Sequence, residues 1–177
     1  MCDVILGPRR SHPALATALL AALALACAAT AGGGRSGTVV SFQTIAHRFS
    51  GGSAPKRPIA FVALEASEVE SFDRFLTPED SRRVRNINPA VSAVVAVFAG
   101  LKPSTGYKIT VRRLSLGQRT LRIVVGLRRP APDTSVLPAL SSPYHVVKVA
   151  RRALGPSGPS QWLLVSRTGR VLARGSR

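Results

Sequence analysis

The sequence predicts a mainly β chain of the α+β kind, an antiparallel sandwich-like or partly open sheet with one packed helix. Three observations predict it. Valine-rich or alternating apolar runs recur between residues 91 and 149, Gly and Pro punctuate them at short intervals, and helical spacing is confined to one acidic segment near 67–76.

The first 27 residues stand apart from this pattern. Met1–Arg10 ends in the basic pair Arg9-Arg10, Pro13 to Ala29 carries no charge, and small residues follow through Gly34. A basic start, an apolar middle and a small-residue exit describe a secretory signal peptide over 1–27. An uncleaved anchor is the alternative, although the apolar run is short against the roughly 20 residues a spanning helix needs. Both cysteines, Cys2 and Cys27, fall in this leader, which leaves a processed domain without a disulfide or a Cys-based metal site. Leu23-Ala24-Leu25-Ala26-Cys27 resembles a bacterial lipobox, with Cys27 as the lipid attachment point. Ala24 stands where Leu is usual, and a chance Cys in an Ala/Leu run reads equally. The Gly/Ala-rich stretch 28–37 suits a flexible tether.

The 38–154 stretch holds a single β-rich domain, a comfortable size for one core. Thr38 to Phe49 reads as a strand, and Pro58 to Leu64 as a second between turn signals. In the acidic segment Ser67 is the expected helix cap, with Glu70 completing a capping box and Val69, Phe72 and Phe75/Leu76 on one face. Thr77-Pro78 looks like a further helix start. The run from Val91 to Phe98 is apolar enough to be buried on both faces. Tyr107, Ile109 and Val111 alternate with polar residues, Leu121, Ile123 and Val125 form the next series, and Pro130, Pro132 and Pro138 mark a loop. Tyr144 to Val149 resumes strand character. A linker at 155–159 then leads to a C-terminal hairpin within 155–177, with its turn at Arg167-Thr168-Gly169, that should pack through Trp162.

The chain carries 25 Lys+Arg against 8 Asp+Glu, a net charge of +17. Six of the eight acids lie between Glu65 and Asp80, at the starts of the predicted helices, where the helix dipole favours them. After Asp80 only Asp133 remains. Such a surface attracts polyanions, which for an exported chain means anionic lipid or wall polymer; plain Arg-rich composition reads as well. Catalysis is not expected. His47 and His145 belong to no ligand cluster, no Gly-x-Ser-x-Gly elbow or phosphate-cradling glycine loop occurs, and the acids sit on a helix face. No cofactor or metal is implied. Aromatics make up 5% of the chain and do not interleave with the arginines, so nucleic acid is not the expected partner either.

Two short loops stand out: Ala99 to Tyr107, containing Lys102-Pro103-Ser104-Thr105-Gly106-Tyr107, and Ser141-Ser142-Pro143-Tyr144. In the first, Gly106 is expected to supply a positive φ. In this order, with Pro130 and Pro132 between them and Val147 after, they resemble the C-terminal domain of the PrcB protease-complex subunit family over about 91–150. That family shows a buried strand ending in Gly, then Lys/Arg-Pro-Thr-Gly-Gly-Tyr, a Pro-rich loop, and Thr-x-Pro-Tyr before a Val-rich strand. Ser104-Thr105-Gly106 departs from the usual Thr-Gly-Gly, and Asp133 from a Gly that often follows the second Pro. The resemblance implies a non-catalytic accessory or adaptor protein, exported to the cell envelope, periplasmic or lipid-anchored, with an envelope or secreted partner such as a protease. Lys102 to Tyr107 with Pro143 and Tyr144 are then the candidate partner-binding residues. Pro103 to Tyr107 is also similar to the Asn-Pro-Thr-Thr-Gly-Tyr loop of chagasin-like cysteine-protease inhibitors. Lys102 replaces that Asn, and the later Gly-x-Gly-Gly loop is missing.

Overall fold

A computed structural model describes residues 37–49 and 53–177. The signal peptide, the lipid attachment at Cys27 and nearly all of the 28–37 tether lie outside the described residues.

Two sheets and two helices form three layers. The first sheet has the order β1-β5-β6-β8-β9, from β1 (Thr38–Val40), β5 (Lys108–Gly117), β6 (Thr120–Arg128), β8 (Gln161–Ser166) and β9 (Val171–Ser176). The second has the order β2-β7-β4-β3, from β2 (Phe42–Arg48), β7 (Tyr144–Ala150), β4 (Ser92–Phe98) and β3 (Ile59–Ala63). Helices α1 (Ala66–Asp73) and α2 (Pro78–Arg85) cover the far side of the second sheet.

β4 explains the layering. Ala93, Val95 and Val97 point into the core between the sheets, beside Ile109, Leu121, Ile123 and Leu164. Val94, Ala96 and Phe98 point the other way, into a second core with Val69, Phe72, Leu76 and Val84 of the helical segment. Both faces of the strand are dry, as its unbroken apolar run predicts. Phe61, Phe72, Phe75, Phe98 and Tyr144 meet in the second core at ring separations of 5.5 to 6.1 Å.

The structure corrects the sequence reading in four places. The strand expected over 38–49 is two strands, because the chain crosses from one sheet to the other at Ser41. Among the described residues there are two α-helices in place of one. α1 starts earlier than Ser67: Glu68 carries the cap, its carboxylate accepting from the backbone N–H of Leu64 (2.6 Å) and Glu65 (3.0 Å). Ser67 and Glu70 are exposed and take no part. Thr77 caps α2 as its sequence predicts, accepting from the Asp80 N–H, with Pro78 at the first turn. Finally, the sheets are not wholly antiparallel. The C-terminal hairpin forms, but β8 pairs in parallel with β6, from Thr120↔Gln161 to Val125↔Ser166. Its anchor is therefore a backbone ladder as well as Trp162, whose ring lies against the backbone of Gly175.

Candidate functional site

The two loops singled out in the sequence meet at one end of the sandwich. Lys102 and Ser141 exchange backbone hydrogen bonds of 2.8 and 3.0 Å, forming an isolated antiparallel bridge. The Ser141 hydroxyl donates to the Ser104 carbonyl at 2.6 Å, and the Ala99 N–H donates to the Pro143 carbonyl at 2.9 Å. The intervening Pro-rich segment closes over them, the Thr105 N–H donating to the Leu137 carbonyl at 3.3 Å. A side chain at Gly106 would place its Cβ 2.6 Å from both Pro130 and Val136. Gly106 is thus required by close approach, and the positive φ expected there does not occur. The left-handed residue is Gly100, with φ of 74° and no space for a Cβ against the Arg57 backbone.

This corner is stiff, but its residues divide sharply. Pro103 is exposed, and Lys102, Ser104, Thr105, Gly106 and Tyr107 are half-buried. Pro143 and Tyr144 are buried, Tyr144 completely. Tyr144 therefore presents no side-chain surface to a partner. Its hydroxyl donates to Asp80 at 2.6 Å in the core beneath the helices, and Arg48 reaches the same carboxylate at 3.1 Å. Burial alone would raise the Asp80 carboxyl, but the hydrogen bonds from Tyr144 and Arg48 outweigh it and hold the group below its ordinary value. Burial and the Asp80 bond together raise the Tyr144 phenol. This constellation fastens α2 to the second sheet.

The exposed part of the corner is a cleft of about 390 Å³ lined by Leu101, Lys102, Pro103, Tyr107, Leu127 and the cations Lys108, Arg128 and Arg129. Burial, with the nearby Arg129 charge adding to it, lowers the Lys102 ammonium from its usual value. Among the described residues, no carboxylate lines the cleft. Leu101 and Leu127 are large and exposed, as are Leu137 and Leu140 in the neighbouring Pro-rich segment, Leu140 at 74%. Sequence reasoning missed these four leucines. The available signal was two leucines in a proline loop that belongs to no apolar alternation. The chagasin-like reading fits this geometry poorly, since Gly106 and Thr105 are packed beneath the Pro-rich segment and do not project from it.

His47 and His145 both bond to the backbone of β5. The His145 Nδ1 accepts from the Val111 N–H at 2.8 Å, beside the bulge between Val111 and Arg113, and its Nε2 meets the Thr44 hydroxyl at 2.9 Å. His47 donates from Nε2 to the Ile109 carbonyl at 2.8 Å. Together they tie β2 and β7 to the backbone of β5. Among the described residues, no group of three His, Cys, Asp or Glu side chains is placed to hold a metal ion, and no helix is long and apolar enough to cross a membrane.

The span that contains these loops resembles a known family. Residues 93–150 match the PrcB C-terminal family model. The match runs from β4 to the end of β7, so the matched segment contains both corner loops, the Pro-rich segment and the two central strands of the helix-backed sheet. β1, β2, β3, both helices and the C-terminal hairpin lie outside it. No curated protein and no solved structure matches the chain.

Proposed function

We propose that this protein is a non-catalytic accessory or adaptor of the bacterial cell envelope, associated with a protease complex, and that it holds a partner protein at the corner cleft. The observation that carries this reading is the corner itself. Within the PrcB C-terminal match, three loop segments are cross-bonded into a stiff frame; Leu101 and Leu127 line a cleft rimmed by cations, and Leu137 and Leu140 stand exposed on the neighbouring Pro-rich segment. Large apolar side chains held out on a rigid polar frame mark a protein-binding surface. The absence of carboxylates from the lining selects a partner segment that is itself apolar and acidic. Tyr144, buried, contributes by holding the frame.

The test is a purification of the tagged chain from envelope extracts, comparing the unaltered protein with Leu137→Asp/Leu140→Asp. One envelope protein, a protease or its complex, should be retained by the first. The double variant should lose it by at least about tenfold, equivalent to roughly 1.4 kcal/mol, with an unchanged circular dichroism spectrum. Equal retention by both proteins would dismiss the corner as the binding surface.

A further inference from the structure

Among the described residues, no element covers the outer face of the five-stranded sheet, and the charged side chains exposed on it are cations. Arg112 and Arg113 on β5, Arg122 on β6 and Arg174 on β9 are all exposed, with Lys108 and Arg128 at the corner end. Register makes this arrangement costly. Lys108 stands directly opposite Arg128, and like charges in that relation destabilise a strand pair. Arg122 and Arg174 flank Leu163 in one cross-strand row. At Gly126 the missing side chain leaves room for two arginines at once. Arg112 Nε lies 3.3 Å and Arg167 Cδ 3.7 Å from where a Cβ would stand.

Of the side-chain carboxylates on the described residues, Asp133 lies in the Pro-rich segment and the rest lie between Glu65 and Asp80. Among the described residues, ion pairs form only to Arg48, Arg83, Arg85 and Arg177, and every acidic partner (Glu65, Glu68, Asp73, Glu79 or Asp80) belongs to the helical layer or its approach. The face cations are thus uncompensated within the fold.

We propose that this sheet face docks on an anionic phospholipid surface. The cations are spread in two dimensions over β5, β6 and β9, a width of roughly 15 Å at about 4.8 Å per strand, and do not follow a single groove. That layout matches a plane of charges better than one linear chain. Exposed Val39 and Val171 lie on the two edge strands of the sheet. The inference is independent of the corner cleft, and the four arginines chosen to test it do not line that cleft.

The experiment is co-sedimentation of the full chain with vesicles of phosphatidylglycerol mixed into phosphatidylcholine, against pure phosphatidylcholine. Three proteins are compared: the unaltered chain, Arg112→Gln/Arg113→Gln/Arg122→Gln/Arg174→Gln, and a control with the same charge loss elsewhere, Lys56→Gln/Arg57→Gln/Arg82→Gln/Arg152→Gln. The unaltered chain should prefer the anionic vesicles by at least about tenfold, a preference that fades with added salt. The face variant should lose that preference, and the control should keep it within about twofold. Should the face variant fail to fold, Arg122→Gln/Arg174→Gln gives the same comparison with a smaller loss. Equal binding to both vesicles, or equal loss in variant and control, overturns the proposal. So does binding to a soluble polyanion such as heparin without binding to vesicles.

Discussion

His145 has no room for a second proton. Its Nδ1 already accepts the Val111 N–H, and burial, the neighbouring His47 and then Arg112 push its pKa down to about 4. The sign of the consequence follows from linkage. A histidine whose folded value lies below its unfolded 6.5 binds fewer protons folded than unfolded, so its contribution is complete above about pH 6.5. It falls as pH drops and is exhausted below about pH 4. The difference between the two values corresponds to about 3 kcal/mol. Urea unfolding at pH 7, 5.5 and 4 should show a decline of that order. His145→Gln, which keeps an acceptor for Val111 and a donor for Thr44, should flatten it; an unchanged slope would remove His145 as the cause. At the same scale, composition could not show Tyr144 turning inward. Pro143-Tyr144 has the look of a surface turn, and only the position of Asp80 beneath the second sheet, 64 residues away in the chain, draws the hydroxyl into the core.

Local pattern made most elements legible where one physical rule dominated. The dry run of β4, the alternation in β5, the Thr77-Pro78 start of α2 and the turn of the C-terminal hairpin each follow from their own residues. The reading failed where an element depends on a distant neighbour. Nothing between Thr38 and Phe49 signals that Ser41 divides two sheets, since the division is set by β5 on one side and β7 on the other. The capping frame of α1 slid because both Ser67/Glu70 and Glu65/Glu68 satisfy the spacing, and the pull of the Leu64 N–H together with Arg177 decides for Glu68. Gly106 was singled out for the right position and the wrong reason. Its contact with Pro130 and Val136 makes a specific prediction: Gly106→Ala should force the Pro-rich segment off the corner. A destabilisation of about 1–3 kcal/mol is expected from overpacking. Limited proteolysis should then cut within 129–140 faster than in the unaltered chain, and an unchanged cleavage rate would mean that the segment is not held by that contact.

At the scale of the described fold, charge is unevenly placed. The ion-paired acids occupy the helical layer or its approach, a group of cations lies on the open sheet, and the apolar corner sits at one end of the sandwich. The clustering of acids near 65–80 was visible in the sequence as helix chemistry, while the grouping of Arg112, Arg113, Arg122 and Arg174 on one face required the register of β5, β6 and β9. For the proposed adaptor role, the corner cleft and the sheet face are two separate candidate surfaces. The central claim is that a partner protein occupies the corner. It is tested most directly by photo-crosslinking in cells, with a photoreactive residue placed at Leu101, Leu137 or Leu140 in turn and at Arg82 on the helical layer. The account predicts one common adduct from the three corner positions and none from position 82. Adducts of equal strength from position 82, or none from any corner position, would contradict it.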